Sequence, residues 1–396
     1  MNPSDFQDAS AGTLASTIER QKAFVPAPLP PRIDLGSIAM PLAAAMQAIG
    51  ELRGACRRLQ NPYILIRPLQ RREALTSSAM EGTFTTADQL LLAEAGARAD
   101  TDESTREVVN YLNALNESLD LLKELPISHR VIKKAHEKLL SGLSAARGAR
   151  KQPGEYKRDQ NWIGGYTISQ ARYVPPPPAE TQVCMDDLER YINREEKNPP
   201  ALLLDLAMVH YQFEAIHPFA DGNGRVGRML ISLMAVHNGL LETPVLYMSP
   251  VLERYKDQYI DLMFNVSAKG AWNDWFLFFF DRVVESCRET IETIDRLIEL
   301  QNKYRSVAAE AARSNSALTL VDLLFDRPAI TVKDAQDRLS VTYRAAKLTI
   351  EKLVEIGILK EFPDRYPKVF YAPTILRVSR PPEPTMPADS EEEAGA

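Results

Sequence analysis

His217-Pro-Phe-Ala-Asp221-Gly-Asn-Gly-Arg225-Val-Gly-Arg228 is the stretch on which the reading of this chain turns. An apolar segment, Ala201 to Ile216, precedes it, and Leu203, Leu206, Ala207, His210 and Phe213 recur there at helical spacing. A second apolar segment, Met229 to Val236, follows. The pattern predicts two helices joined by a loop. Gly222, Asn223 and Gly224 are residue types that tolerate positive φ, so successive backbone N–H groups there can converge on an anion. The N-terminus of the second helix adds partial positive charge at the same place. Around this cradle stand an imidazole, a carboxylate and two guanidiniums. His217 is a candidate base, Asp221 an oxygen ligand for a hard cation, and Arg225 and Arg228 fixed charges suited to phosphate. The stretch reads as a polyphosphate site with a general base.

Composition sets the frame around that site. The chain has 396 residues, 45% hydrophobic and 25% charged, an ordinary globular mixture with room for roughly two or three domains. A formal charge of −6 argues against wholesale binding to nucleic acid or anionic membranes. Cys56, Cys184 and Cys287 are far apart and have neither metal-ligand spacing nor a disulfide framework, which points to a reducing, cytoplasmic setting. No apolar run is expected to reach the roughly 20 residues of a membrane span, and no signal-peptide core is visible.

In chain order, residues 1–34 carry Pro26, Pro28, Pro30 and Pro31 without apolar periodicity and are expected to be extended or flexible, with little regular structure. Residues 35–110 read as helical. Met40 to Leu59 and Leu69 to Glu81 are helix candidates, the second stopped by Gly82. Thr86-Ala-Asp-Gln89 and Ser104-Thr-Arg-Glu107 have the capping-box form. Ser128 to Leu140 is a further helix candidate. Between 141 and 179, glycines and Tyr166, Thr167, Ile168, Tyr173 and Val174, closed by Pro175 to Pro178, predict a short β-hairpin or exposed flap. Helices then resume at Val183 to Tyr191, at the two runs around the central loop, and at Tyr255 to Val266, Trp272 to Val284 and Ile291 to Tyr304, so residues 111–304 form the core. Residues 315–378 show three short helices and two strands around Pro363 to Pro367, a winged-helix pattern. The tail, 379–396, is rich in Pro and Glu and expected to be disordered. The fold class is therefore mainly α.

The central stretch resembles the Fic family, whose motif has the form His-Pro-Phe-x-Asp/Glu-Gly-Asn-Gly-Arg-x-x-Arg. His217, Pro218, Phe219, Asp221, Gly222, Asn223, Gly224, Arg225 and Arg228 match every defined position. Ser77-Ser-Ala-Met-Glu81-Gly82 is similar to the family's inhibitory motif, and Asn161-Trp-Ile-Gly-Gly165 with Val174-Pro-Pro-Pro-Pro178 is similar to its flap. The likeness covers about residues 35 to 300 and implies a Fic helical bundle with a winged helix attached.

What the resemblance implies is AMPylation, the transfer of AMP from ATP to a Ser, Thr or Tyr hydroxyl of a target protein or of the enzyme itself, with release of pyrophosphate. His217 would be the base, Asp221 would hold Mg2+, and Gly222, Asn223 and Gly224 would form the anion hole. Arg225 and Arg228 would take the phosphate tail, and Tyr255 and Tyr259, four residues apart, would line the adenosine pocket. Ser77, Glu81 and Gly82 would be regulatory: a carboxylate from a docked helix pairs with Arg228 and withholds it from the γ-phosphate. The flap, near 160–174, would hold an extended target segment by β-augmentation.

Other readings stand beside these. His210 with His217 as a zinc pair lacks a third ligand at useful spacing, and His210 fits packing better. The enzyme rivals are a de-AMPylase or a phosphotransferase using another nucleotide, and the rival from another class is a nucleotide-sensing DNA-binding regulator. Tyr343, Arg344, Lys347, Lys352, Arg365 and Lys368 would meet DNA phosphates, but Asp334, Asp337, Glu351 and Glu355 dilute that patch. Protein docking or homodimer support is the preferred role of the winged helix.

Overall fold

The structure is a computed structural model and describes residues 1–58, 62–96, 101–195, 199–312, 314–363 and 365–379. Helices α7 (Pro199–Ile216) and α8 (Asn223–His237) form its centre. Residues Asn223 to Ala235 of α8 are all buried, its polar residues Asn223, Arg225, Arg228 and Ser232 included. Helices α1 (Leu35–Arg57), α6 (Pro178–Ile192), α10 (Lys256–Lys269) and α11 (Trp272–Ala312) pack on α7 or its flanks. Helices α2 (Pro62–Met80), α4 (Glu103–Leu121) and α5 (His129–Leu139) pack on α8. Phe213, Phe219, Trp275 and Phe279 are among the fully buried side chains of this core, each contributing roughly 2–3 kcal/mol by leaving water.

Several boundaries differ from the sequence expectation. Residues 1–34 are more ordered than their prolines suggest. Strands β1 (Gly12–Ser16) and β2 (Lys22–Pro26) pair antiparallel from Gly12↔Pro26 to Ser16↔Lys22. Phe24 is the reason: it is buried, its ring lies 5.1 Å from Phe6 and 6.1 Å from Tyr173, and its N–H donates to Val174 O at 2.8 Å. The hairpin thus docks on the end of the flap. The flap itself is not a regular hairpin. Its only described pairing is the bridge Ile163↔Tyr173, because Gly164 and Gly165 adopt φ of 74° and 77° and turn the chain out of extended geometry.

Helix α3 (Ala87–Glu94) has the expected capping box, Thr86 with Gln89. The second expected box does not form. Helix α4 starts with Asp102 as its cap, and Glu107 is instead drawn into a buried ion pair with Arg225. The 110/111 boundary consequently falls inside a helix. The two segments expected at 272–284 and 291–304 are one 41-residue helix, α11, because Cys287, Thr290 and Ile294 keep one face buried across the supposed gap. By length and composition α1 is apolar enough to cross a membrane, contrary to expectation. In this fold it lies along α11, buries Ile38, Ala45, Ile49 and Leu52, and Arg53 donates to Leu240 O.

After Ser314 come α12 (Asn315–Asp326), β3 (Ala329–Thr331), α13 (Val332–Leu339), α14 (Tyr343–Glu355), β4 (Lys360–Glu361) and β5 (Val369–Tyr371), with sheet order β3-β5-β4. The elements thus run helix, strand, helix, helix, strand, strand, the order that the sequence pattern predicts for this segment. Helix α12 packs directly on α2, and a last helix, α15 (Pro373–Val378), packs on α11. The tail from residue 380 lies outside the described residues.

Candidate active site

The loop between α7 and α8 is held in a conformation that its sequence alone disfavours. His217 has φ of +48°, the left-handed region that non-glycine residues rarely occupy. Gly222, at φ +76°, is the left-handed cap that starts α8. Asn223 spans the loop: its Oδ1 accepts from Phe219 N at 2.8 Å and its Nδ2 donates to Phe219 O at 2.9 Å. The anion-facing groups are therefore the backbone N–H groups of the first turn of α8, which no side chain caps. Behind the loop, His136 of α5 stacks on Phe219 at 3.8 Å. Gly154 N donates to His136 Nδ1, which leaves Nε2 to donate to Asp221 O, both at 3.0 Å. Burial pushes the His136 ring down to about 4, so it stays neutral. Nothing in the local sequence marks His136 for this task, because it lies far upstream.

Arg228 lies at the floor of the site, 2% exposed. Its Nε donates to Ser77 Oγ at 3.0 Å and its Nη2 to Ser77 O and Glu81 Oε1, both at 2.8 Å. Helix α2 ends at Met80, and Gly82 takes φ of +82°, so Glu81 leaves the helix end just above α8. A Cβ on Gly224 would collide with Glu81 Oε1 and stand 2.8 Å from Arg228 Nη1. The Glu81 carboxylate therefore sits in the cradle. Burial would raise its pKa, but the Arg228 charge and hydrogen bond, helped by Arg225, hold it below the usual carboxylate range.

Glu214, one turn before His217, was not singled out in the sequence. Its Oε1 is buried with no hydrogen-bond partner among the described residues. Burial pushes its pKa up to about 8, with Arg228 opposing and Glu81 adding to the rise. His217 is held down at about 4 by burial and by the Lys157 charge, against Glu81 and Asp221, so its imidazole is a free base at neutral pH.

Arg225 and Asp221 have partners of their own, and lie 3.6 Å apart. Arg225 Nη1 donates to Glu107 Oε2 at 2.6 Å, and Arg147 and Thr83 bind the same carboxylate, so Arg225 ties the loop to α4. Asp221 Oδ1 accepts from Gly222 N at 2.6 Å, while Oδ2 has Lys151 Nζ at 3.7 Å. The described residues include no group of three or more His, Cys, Asp or Glu that could hold a metal ion. A hard cation at Asp221 would thus have one protein carboxylate, which fits an ion completed by phosphate oxygens and water.

Glu81, Glu214, His217, Arg228 and Tyr259 line a cavity of about 190 Å³ whose apolar end includes Ile260 and Phe264. His210 Nδ1 faces Gly227 O at 3.1 Å and must donate there, so Nε2 accepts from Tyr259 O–H at 2.9 Å. With both nitrogens engaged and its pKa pushed by burial to about 3, His210 is a neutral packing residue that fixes Tyr259. Tyr255 is not in this cavity. It lines a separate cleft of about 710 Å³ between α2, α11 and the C-terminal helices, with Arg282 over its ring at 4.0 Å. It caps α10 at φ −117°, ψ 32°, so the helical four-residue rule that pairs it with Tyr259 does not apply. The neighbouring Lys256, unremarked in the sequence, lines the cavity instead and donates to Met80 O at 2.7 Å.

The sequence and the fold are similar to those of known proteins. Residues 39–120 match the Fic/DOC family N-terminal region and residues 126–235 the Fic/DOC family proper. Residues 126–235 thus carry a Fic/DOC family region, with the family's N-terminal region upstream of it. The Fic match ends inside α8, just past Arg228. The chain is 30% identical to protein adenylyltransferase Fic of Drosophila mojavensis over 131 residues, 33% of this chain and 23% of that protein. It is 28% identical to protein adenylyltransferase Fic of Drosophila sechellia over 204 residues, 49% of this chain and 37% of that protein. It therefore spans well under half the length of these curated relatives. In three dimensions it resembles a Fic family protein from Desulfovibrio desulfuricans G20, with a TM-score of 0.56 at 18% identity, covering 87% of this chain and 98% of the other. That likeness extends beyond the Fic core.

Proposed function

We propose that the chain is a protein adenylyltransferase that moves AMP from ATP to a hydroxyl of a target protein or of itself and is restrained by Glu81. The observation that carries this reading is the Glu81 carboxylate held by Arg228 in the uncapped N-terminus of α8. An anion already stands there, and a phosphate group offers the same cradle more acceptor oxygens. ATP would place its phosphates along the first turn of α8 and its base toward Ile260 and Phe264. Asp221 would hold Mg2+ shared with the phosphates, which supplies charge neutralisation as pyrophosphate leaves. His217, neutral at cellular pH, would take the proton from the attacking hydroxyl, whose oxygen bonds to the α-phosphorus as the bond to pyrophosphate breaks.

Glu81 and the pyrophosphate end of ATP compete for one guanidinium, so α2 must shift before transfer. The exposed flap, with Trp162 at 40% and Tyr166 at 97% exposure, offers a place for the target segment. In the winged helix, Lys347, Lys352 and Lys368 pair with Glu351, Glu355 and Glu361 at 3.6, 2.9 and 2.8 Å. That pairing weakens a DNA surface and favours protein contact for this unit.

The test is mass spectrometry of cells expressing the Glu81→Gly protein. AMP adducts on the protein or on host proteins, lost when His217→Ala is added, are expected. Absence of any adduct in the Glu81→Gly cells contradicts the proposal.

A further inference from the structure

Helix α7 ends where its last carbonyl groups have no partner within the helix. Five consecutive carbonyls there, from Ala215 to Phe219, are nonetheless all engaged from one segment of chain. Tyr173 O–H donates to Ala215 O at 2.9 Å. Lys157 Nζ donates to Ile216 O at 3.2 Å, and Lys157 N donates to Pro218 O at 2.8 Å. Asn161 Nδ2 donates to both His217 O, at 3.0 Å, and Phe219 O, at 2.9 Å. The two side chains also lock one another, since Lys157 Nζ donates to Asn161 Oδ1 at 2.8 Å. Only the amide nitrogen of Asn161 can donate to two carbonyls, so its orientation is set by chemistry.

This arrangement coincides with the strained residue of the site. His217 adopts φ of +48°, and such a conformation persists only where surrounding contacts over-determine it. The carbonyls on both sides of the His217 Cα are gripped from the same segment, residues 157–161. Lys157 is 4% exposed, burial pushes its pKa down to about 7, and its Nζ lies against the C-terminal end of α7, where the helix dipole favours the charged form. A surface lysine forming an ordinary ion pair would have none of these features.

We propose that Lys157 and Asn161 are positioning residues for the transfer reaction, clamping the carbonyls of residues 216–219 so that the His217 imidazole faces the attacking hydroxyl. The inference rests on the reading of His217 as the base. Neither residue touches the nucleotide cavity, so ATP binding does not depend on them directly. The clamp residues also lead straight into the flap at Trp162 and Ile163. A target segment lying on that flap would press on the same backbone that orients the base.

The experiment uses the full chain carrying Glu81→Gly, with Lys157→Met, Lys157→Arg, Asn161→Asp and His217→Ala each added to it. It measures kcat and KM for ATP in self-labelling, and ATP affinity by calorimetry. Lys157→Met and Asn161→Asp are expected to lower kcat on the order of 30-fold, since a misplacement of about 1 Å costs up to roughly 100-fold. KM and ATP affinity stay within about twofold, and Lys157→Arg, which keeps the charge and donors, recovers most of kcat. Unchanged kcat in Lys157→Met and Asn161→Asp, with His217→Ala inactive, overturns the clamp and leaves the base intact. Equal losses of kcat and ATP affinity also overturn it, because they report a general loss of structure. Activity retained in His217→Ala instead removes the reading on which the inference stands.

Discussion

Replacing Glu81 by Gly should free the site, and the structure sets the size of the effect. The carboxylate makes one charge-assisted hydrogen bond to Arg228 at 2.8 Å and is itself 36% exposed. Such a bond contributes about 1.5–3 kcal/mol when well shielded, and partial exposure brings it down to roughly 1–2 kcal/mol. ATP must displace that contact before its phosphates can use the guanidinium. At about 1.4 kcal/mol per tenfold, Glu81→Gly should raise apparent ATP affinity by roughly 5- to 30-fold. Self-labelling should rise at least as much, because the carboxylate also fills the space above Gly224 where a phosphate oxygen must lie. Calorimetry with ATP and labelling with tagged ATP measure the two separately. Glu81→Gln keeps the volume but removes the charge, so it should fall between the wild type and Glu81→Gly. If Glu81→Gly changes neither affinity nor labelling, the competition for Arg228 is not what restrains the enzyme.

Three further outcomes follow from the same residues. Gly224→Ala should abolish ATP binding even beside Glu81→Gly, since its Cβ fills the cradle and crowds Arg228 Nη1; calorimetry checks this. His136 and His210 are held neutral to about pH 4 and 3 in the folded protein, below their ordinary value. The unfolded chain then binds more protons below about pH 6.5, so each histidine withdraws roughly 1.4 kcal/mol of stability per pH unit as pH falls from there toward 4. Urea melts between pH 6.5 and 5 should show this loss, reduced in a His136→Gln variant. Glu214 has the opposite sign: its folded pKa of about 8 lies above the ordinary 4.5, so the folded state binds the extra proton and stability falls as pH rises between those values. Glu214→Gln should therefore raise the melting temperature at pH 8 and leave it nearly unchanged at pH 4.5.

The core of this site was legible because its chemistry is contiguous. Residues 217–228 carry the proposed base, the cradle and Arg228 within one helix–loop–helix junction, and local spacing alone defines that unit. Glu81 and its pairing with Arg228 were both legible through a motif of their own, and the structure has that contact at 2.8 Å. What the sequence hid are contacts whose significance lies in tertiary packing: His136 behind Phe219, Glu214 beside Arg228, Lys157 on Ile216 O, and the grip of the flap-motif residue Asn161 on His217 O and Phe219 O. Arg225 shows the reverse case. Its place in the motif suggested phosphate, whereas in the structure the buried carboxylate of Glu107 holds it. Tyr255 and Tyr259 share a helical spacing, yet the start of α10 between them sends their side chains to different cavities. The N-terminal hairpin was obscured because proline composition outweighed a single well-placed aromatic, Phe24.

The central claim is that α8 and its loop transfer the AMP portion of ATP with His217 as base. Its most direct test supplies the Glu81→Gly protein with ATP labelled at either the α- or the γ-phosphate and compares protein-bound label with and without His217→Ala. Stable label is expected from the α-position only, and it is expected to be lost with His217→Ala. Label from the γ-position, or α-label that survives His217→Ala, would contradict it.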